Sequence, residues 1–154
     1  MELSSNQVDS LVIDAGLAVW AVIPAEAPID TLRLITGWRR KGVQLLSPSL
    51  YLAESTSAIR RLVHGGLLTV EEGTTALADL LDLDVDIIHE TSEHCRSAFR
   101  WAQRLNQAKA YEGFYLAAAE HANAELWTAD KRLARSARNQ NINWVHWAGE
   151  LHRV

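Results

Sequence analysis

Leu11-Val12-Ile13-Asp14 is a short apolar run closed by an acid, and Glu125-Leu126-Trp127-Thr128-Ala129-Asp130 repeats the design near the other end of the chain. Such runs, bounded by polar residues, read as buried strands. Working outward, Val43 to Leu46, Val85 to His89 and Trp144 to Trp147 read as further strands, the last at an edge. Helix signals fill the intervals. Pro24 and Pro28 interrupt the chain after the first strand, and Asp30 caps a helix that ends near Lys41 with Gly42 as its stop. Ser47-Pro48 reads as a helix start that Gly65-Gly66 closes, and Thr69 with Glu72 forms a capping box for a helix to about Leu81. Thr91 caps a helix to about Leu105, Ala110 to Asn123 forms another, and a short one begins near Asp130. This alternation predicts a three-layer α/β domain, a mainly parallel central sheet flanked by helices.

The chain has 154 residues, 48% hydrophobic and 22% charged, which fits one domain over residues 1–154 with a single core. Its net charge of -4 excludes a surface coated in positive charge, so any nucleic-acid contact must be local. Cys95 is the single cysteine, which excludes an internal disulfide and a multi-cysteine zinc site. No run approaches the roughly 20 apolar residues of a membrane span. The start, Met-Glu-Leu-Ser-Ser-Asn-Gln, lacks the basic residues and apolar run of a signal peptide, so the expectation is a soluble cytoplasmic protein with no membrane partner.

Four acids stand where an acid is costly: Asp14, Glu54, Glu112 and Asp130. Asp14 ends the first strand and Asp130 lies just past the fourth, at the carboxyl ends where open α/β sheets form their clefts. Either could simply cap the following helix. Glu54 has Leu50, Tyr51, Ser57 and Ala58 three and four positions away, a small or apolar surround that predicts an inward-pointing side chain. Glu112 opens its helix, where an acid is also favoured by the helix dipole. Convergence of the four would create a site for a divalent metal ion.

The segments Val-Ile-Asp14, Ser-Pro-Ser-Leu-Tyr-Leu-Ala-Glu54, Ala-Tyr-Glu112-Gly-Phe-Tyr-Leu and Leu-Trp-Thr128-Ala-Asp130-Lys-Arg-Leu together resemble the PIN-domain ribonucleases, especially the VapC-type toxins of toxin-antitoxin pairs. The resemblance spans nearly the whole chain. It implies a Mg²⁺- or Mn²⁺-dependent endoribonuclease with an RNA substrate and a small antitoxin partner. On that pattern Asp14 and Glu112 are direct ligands, Asp130 a ligand directly or through water, and Glu54 a ligand or the positioner of the attacking water. Thr128 is placed to hydrogen-bond a carboxylate. The chain departs from the family at two points. Glu112 replaces the usual aspartate, adding about 1.5 Å of reach, and Gly16 replaces a residue that is commonly serine, threonine or asparagine.

Basic residues that could guide RNA are Arg39, Arg40 and Lys41, Arg60 and Arg61, and the run Lys131, Arg132, Arg135 and Arg138 beside Asp130. For each, a solvated surface role is the competing reading. The helices around Leu62, Val63, Leu67, Leu68 and Leu77 offer an apolar surface for a homodimer, or else core. The six histidines lack a helix-register pair at zinc-ligand spacing, and the six tryptophans read as core. Two alternatives remain: a PIN-like RNA-binding or protein-interaction module with weakened chemistry, which Gly16 and Glu112 favour, and an RNA-maturation nuclease without an antitoxin.

Overall fold

Five strands pair in the order β3-β2-β1-β4-β5, all parallel, in a computed structural model that describes residues 9–153. They are β1 (Ser10–Ile13), β2 (Gln44–Pro48), β3 (Asp86–Ile88), β4 (Glu125–Thr128) and β5 (Val145–Trp147). The sheet is thus wholly parallel. Among the described residues, seven α-helices connect and cover it: α1 (Ala15–Val22), α2 (Thr31–Arg40), α3 (Leu50–His64), α4 (Val70–Leu81), α5 (Ser92–Arg104), α6 (Tyr111–Ala122) and α7 (Lys131–Asn139). The start read for a signal peptide, residues 1–7, lies outside the described residues. Among the described residues, no helix is long and apolar enough to cross a membrane.

Parallel strands need crossover helices and are buried on both faces. Leu11, Val12 and Ile13 of the central strand are accordingly almost fully buried. From β1 the chain builds outward through β2 and β3 on one side, then returns to add β4 and β5 on the other. The order therefore reverses between β1 and β4. In open α/β sheets, the crevice at such a switch point is where ligands bind.

The helices carry the local signals that their sequence contains. Asp30 caps α2, and Thr69 and Thr91 each complete a capping box at α4 and α5, Thr91 with His94 as the reciprocal side chain. α6 lies against β1, β2 and β4 and is covered by α5, while α1 packs on α2, α3 and α4. Gly113 makes the α5–α6 approach possible, because a Cβ there would stand 2.3 Å from the Ala98 carbonyl oxygen.

The helix start at Ser47-Pro48 is corrected. Both residues belong to β2, where Pro48 aligns with Ile88 of β3, and α3 begins at Leu50. Ser47 is fully buried and its hydroxyl donates to the Ile13 carbonyl at 2.8 Å, so it does not cap a helix. Ser49 takes the entry position instead, its backbone N–H donating to Glu90 at 2.8 Å. The apolar hairpin also divides: Leu62, Leu68 and Leu77 pack against the core, whereas Leu67 is 69% exposed.

Candidate active site

Asp14 follows β1 and caps α1, its Oδ1 accepting the Leu17 N–H at 2.9 Å and the Ala129 N–H at 3.3 Å. The Thr128 hydroxyl, at the end of β4 and fully buried, donates to Asp14 Oδ2. That same hydroxyl accepts the Asp130 N–H at 2.9 Å. Asp130 in turn caps α7, taking the N–H groups of Arg132 at 2.8 Å and Leu133 at 3.1 Å. The capping reading therefore holds for both aspartates, and both also line one cleft.

That cleft, about 500 Å³, is walled by Glu54, Ser57 and Arg61 of α3, by Glu112 and Tyr115 of α6, and by Gly16, Ala129 and Leu133. All four acids singled out in the sequence thus face a common space at the sheet's switch point. Glu54 is not turned into the core as its neighbours predicted. It is exposed, because the small residues beside it, Ala53, Ser57 and Ala58, line the open cleft. Glu112 is half-buried and held from two sides: Gln107 Nε2 donates to its Oε2, and Arg132 Nη2 donates to its Oε1 at 3.1 Å.

Electrostatics link the acids. Burial pushes the Asp14 carboxyl up against the pull of its Thr128, Leu17 and Ala129 donors, with the charge of Asp130 adding to the rise. Partial loss of hydration against the cleft wall also raises Glu54, opposed by Tyr115, helped by Asp14 and Glu112, and opposed by Arg61. Glu112 is raised by burial and by Asp130, with Arg132 opposing. Each of these three acids feels at least one other.

Tyr115, three residues after Glu112, is the cleft residue that sequence reading left unassigned. Its buried hydroxyl sits near enough to Glu54 to hold that acid's pKa down, yet forms no hydrogen bond of good geometry. Burial, then the charges of Glu54 and Asp14, push the phenol far above its ordinary value. The i,i+3 spacing from Glu112 was the available signal.

Gly16 has a steric explanation. A Cβ at this position would lie 2.9 Å from Ala129 Cβ, so glycine lets the first turn of α1 approach the loop that carries Asp130. Of the basic run on α7, Arg132 turns to the acids, Lys131 lies 4.7 Å from the centre of the Trp147 ring, and Arg138 pairs with Glu150. Only Arg61 of the other candidate cations lines the cleft.

The donor set fits a hard divalent cation in kind: four carboxylates, with mutual repulsion that such an ion relieves. As the side chains stand, no three His, Cys, Asp or Glu groups among the described residues are close enough to share an ion. Glu112 would have to release Gln107 or Arg132 to ligate an ion.

No family model and no curated protein sequence matches the chain. Solved structures do. PAE2754 from Pyrobaculum aerophilum aligns with a TM-score of 0.61 at 18% identity, covering 84% of this chain and 80% of its own. A chain of VapBC2 from Rickettsia felis, solved bound to a promoter DNA fragment, gives 0.63 at 12%, covering 89% and 97%. VapC20 of Mycobacterium tuberculosis, a toxin that cleaves the sarcin-ricin loop, gives 0.60 at 15%, covering 82% and 94%. The wholly parallel five-stranded sheet and these alignments agree: the chain has the PIN-domain fold of the VapC-type toxins.

Proposed function

We propose that this protein is a metal-dependent endoribonuclease and the toxin of a toxin-antitoxin pair. The observation that carries the reading is the convergence of Asp14, Glu54, Glu112 and Asp130 on one cleft at the sheet's switch point. An RNA substrate is supported by the neighbour VapC20, a toxin that cleaves the sarcin-ricin loop, and an antitoxin partner by the likeness to VapBC2. The cytoplasm is the corresponding site of action. A homodimer fits the exposed Leu67 and Val70 at the α3–α4 hairpin.

Asp14, Asp130 and Glu112 hold Mg²⁺ or Mn²⁺ in this scheme, with Glu54 as a further ligand or a water-positioning group. A bound dication lowers the pKa of water and stabilises charge on the phosphate oxygens. The chain does the rest. Thr128 fixes the Asp14 carboxylate and the Asp130 backbone against each other. Glu54, open to solvent and raised in pKa, orients the attacking water and accepts its proton. Arg61, on the same wall, draws the phosphodiester into the acid-lined cleft.

The grip of Gln107 and Arg132 on Glu112 favours a second reading, an RNA-binding module with weakened chemistry. Incubating the chain with a mixed RNA pool in Mg²⁺, in Mn²⁺ and in EDTA separates the two. Cleavage with either cation and none in EDTA supports the nuclease, whereas RNA binding with no cleavage under any condition supports the module.

A further inference from the structure

Arg132 is the only arginine that touches the acids of the cleft by ion pairing among the described residues. Its Nη2 lies 3.1 Å from Glu112 Oε1 and 3.8 Å from Asp130 Oδ2. One guanidinium therefore spans two of the four carboxylates. It does so from the first turn of α7, where a cation gains nothing from the helix dipole and the capping acid is its only local reward. Its side chain is 79% exposed, against 29% for Glu112 and 37% for Asp130, so the pair is a weak, solvent-screened one that can open.

The contact is tied to this chain's own Glu112. The carboxylate reaches both Gln107, from the loop before α6, and Arg132, from α7. The positive charge of Arg132 thus occupies the electrostatic role that a dication would take between Glu112 and Asp130.

We infer that Arg132 is an internal counter-ion that sets the cation affinity of this site: it neutralises Glu112 and Asp130 when no dication is bound and must yield them when one enters. The inference rests on the metal-dependent reading above. A dication gains the attraction of the carboxylates only after breaking these pairs, and then feels the repulsion of the displaced guanidinium. Arg132 acts through the acids and is a positioning residue.

The test is Mn²⁺ binding to the full chain, read from the electron paramagnetic resonance signal of free Mn²⁺ at low ionic strength. Four proteins are compared: wild type, Arg132→Gln, Arg132→Lys and, as an exposed arginine outside the acid cluster, Arg135→Gln. Arg132→Gln is expected to bind Mn²⁺ about two- to tenfold more tightly, the range that removal of an exposed pair and its screened repulsion allows. Arg132→Lys is expected to lie near wild type, since it keeps the charge, and Arg135→Gln within about twofold of wild type. The gain at Arg132→Gln should shrink as salt is added. Equal or weaker binding by Arg132→Gln, while wild type binds, overturns the counter-ion role and leaves the metal-dependent reading standing. An equal gain at Arg135→Gln also overturns it, because net charge alone would then be responsible. Absence of Mn²⁺ binding in all four proteins overturns both.

Discussion

The Thr128 hydroxyl donates to Asp14, joining the end of β4 to the end of the adjacent strand β1 beneath the cleft. The pair is buried at its threonine end and also receives the Asp130 N–H at 2.9 Å. A side chain that reads as an ordinary strand threonine therefore aligns two acids. Thr128→Val keeps the shape and deletes the donor. It should cost about 1–3 kcal/mol of stability in urea unfolding and raise the Asp14 pKa further, because Thr128 holds it down. An unchanged Asp14 titration in carboxyl-carbon NMR would contradict the assignment.

The raised acids have a signed effect on folding. Asp14 starts from an ordinary 3.8, and Glu54 and Glu112 from 4.5, and all three sit higher in the fold. Between those ordinary values and the raised ones, the native state binds more protons than the unfolded chain. Stability therefore falls as pH rises through this window. The stability advantage of Asp14→Asn over wild type should grow from about pH 4 upward in the absence of divalent cations, as followed by urea unfolding.

Gly16 and Ala129 should behave as a coupled pair. Gly16→Ser, which brings back a side chain common at this position in the resembling family, places its Cβ against Ala129 Cβ at 2.9 Å. The single variant should lose about 1–2 kcal/mol. Combining it with Ala129→Gly should recover much of that loss, and a double-mutant cycle with no coupling would show that the contact is irrelevant.

Glu112→Asp tests the fit of the longer acid. Shortening the side chain frees the carboxylate from Gln107 and Arg132 but also draws it back from the other acids by about 1.5 Å, and the lost reach is expected to outweigh the release. RNA cleavage should fall, by about tenfold if transition-state stabilisation drops by about 1.4 kcal/mol. A rise in the initial rate of RNA cleavage would mean that the longer acid is a defect.

Much of this arrangement is legible locally. Asp14 and Asp130 mark strand ends, and the caps at Asp30, Thr69 and Thr91 place three helix starts, because those signals act within a few residues. Misreadings arise where distant contacts win. Ser47 is a competent cap in sequence, but the Ile13 carbonyl takes its hydroxyl and Glu90 supplies the grip on Ser49. Glu54 reads as inward-facing because small neighbours look like core, when they are the wall of a cleft. The hold of Gln107 and Arg132 on Glu112 joins a loop and two helices, and no local pattern encodes it.

Single-turnover cleavage of RNA in Mn²⁺ by wild type and by Asp14→Asn, with folding checked by circular dichroism, decides whether these acids hydrolyse RNA. Wild type should cleave, and the folded variant should lose at least about a hundredfold. Wild-type-like cleavage by Asp14→Asn, surviving in EDTA, would contradict that role of the acids.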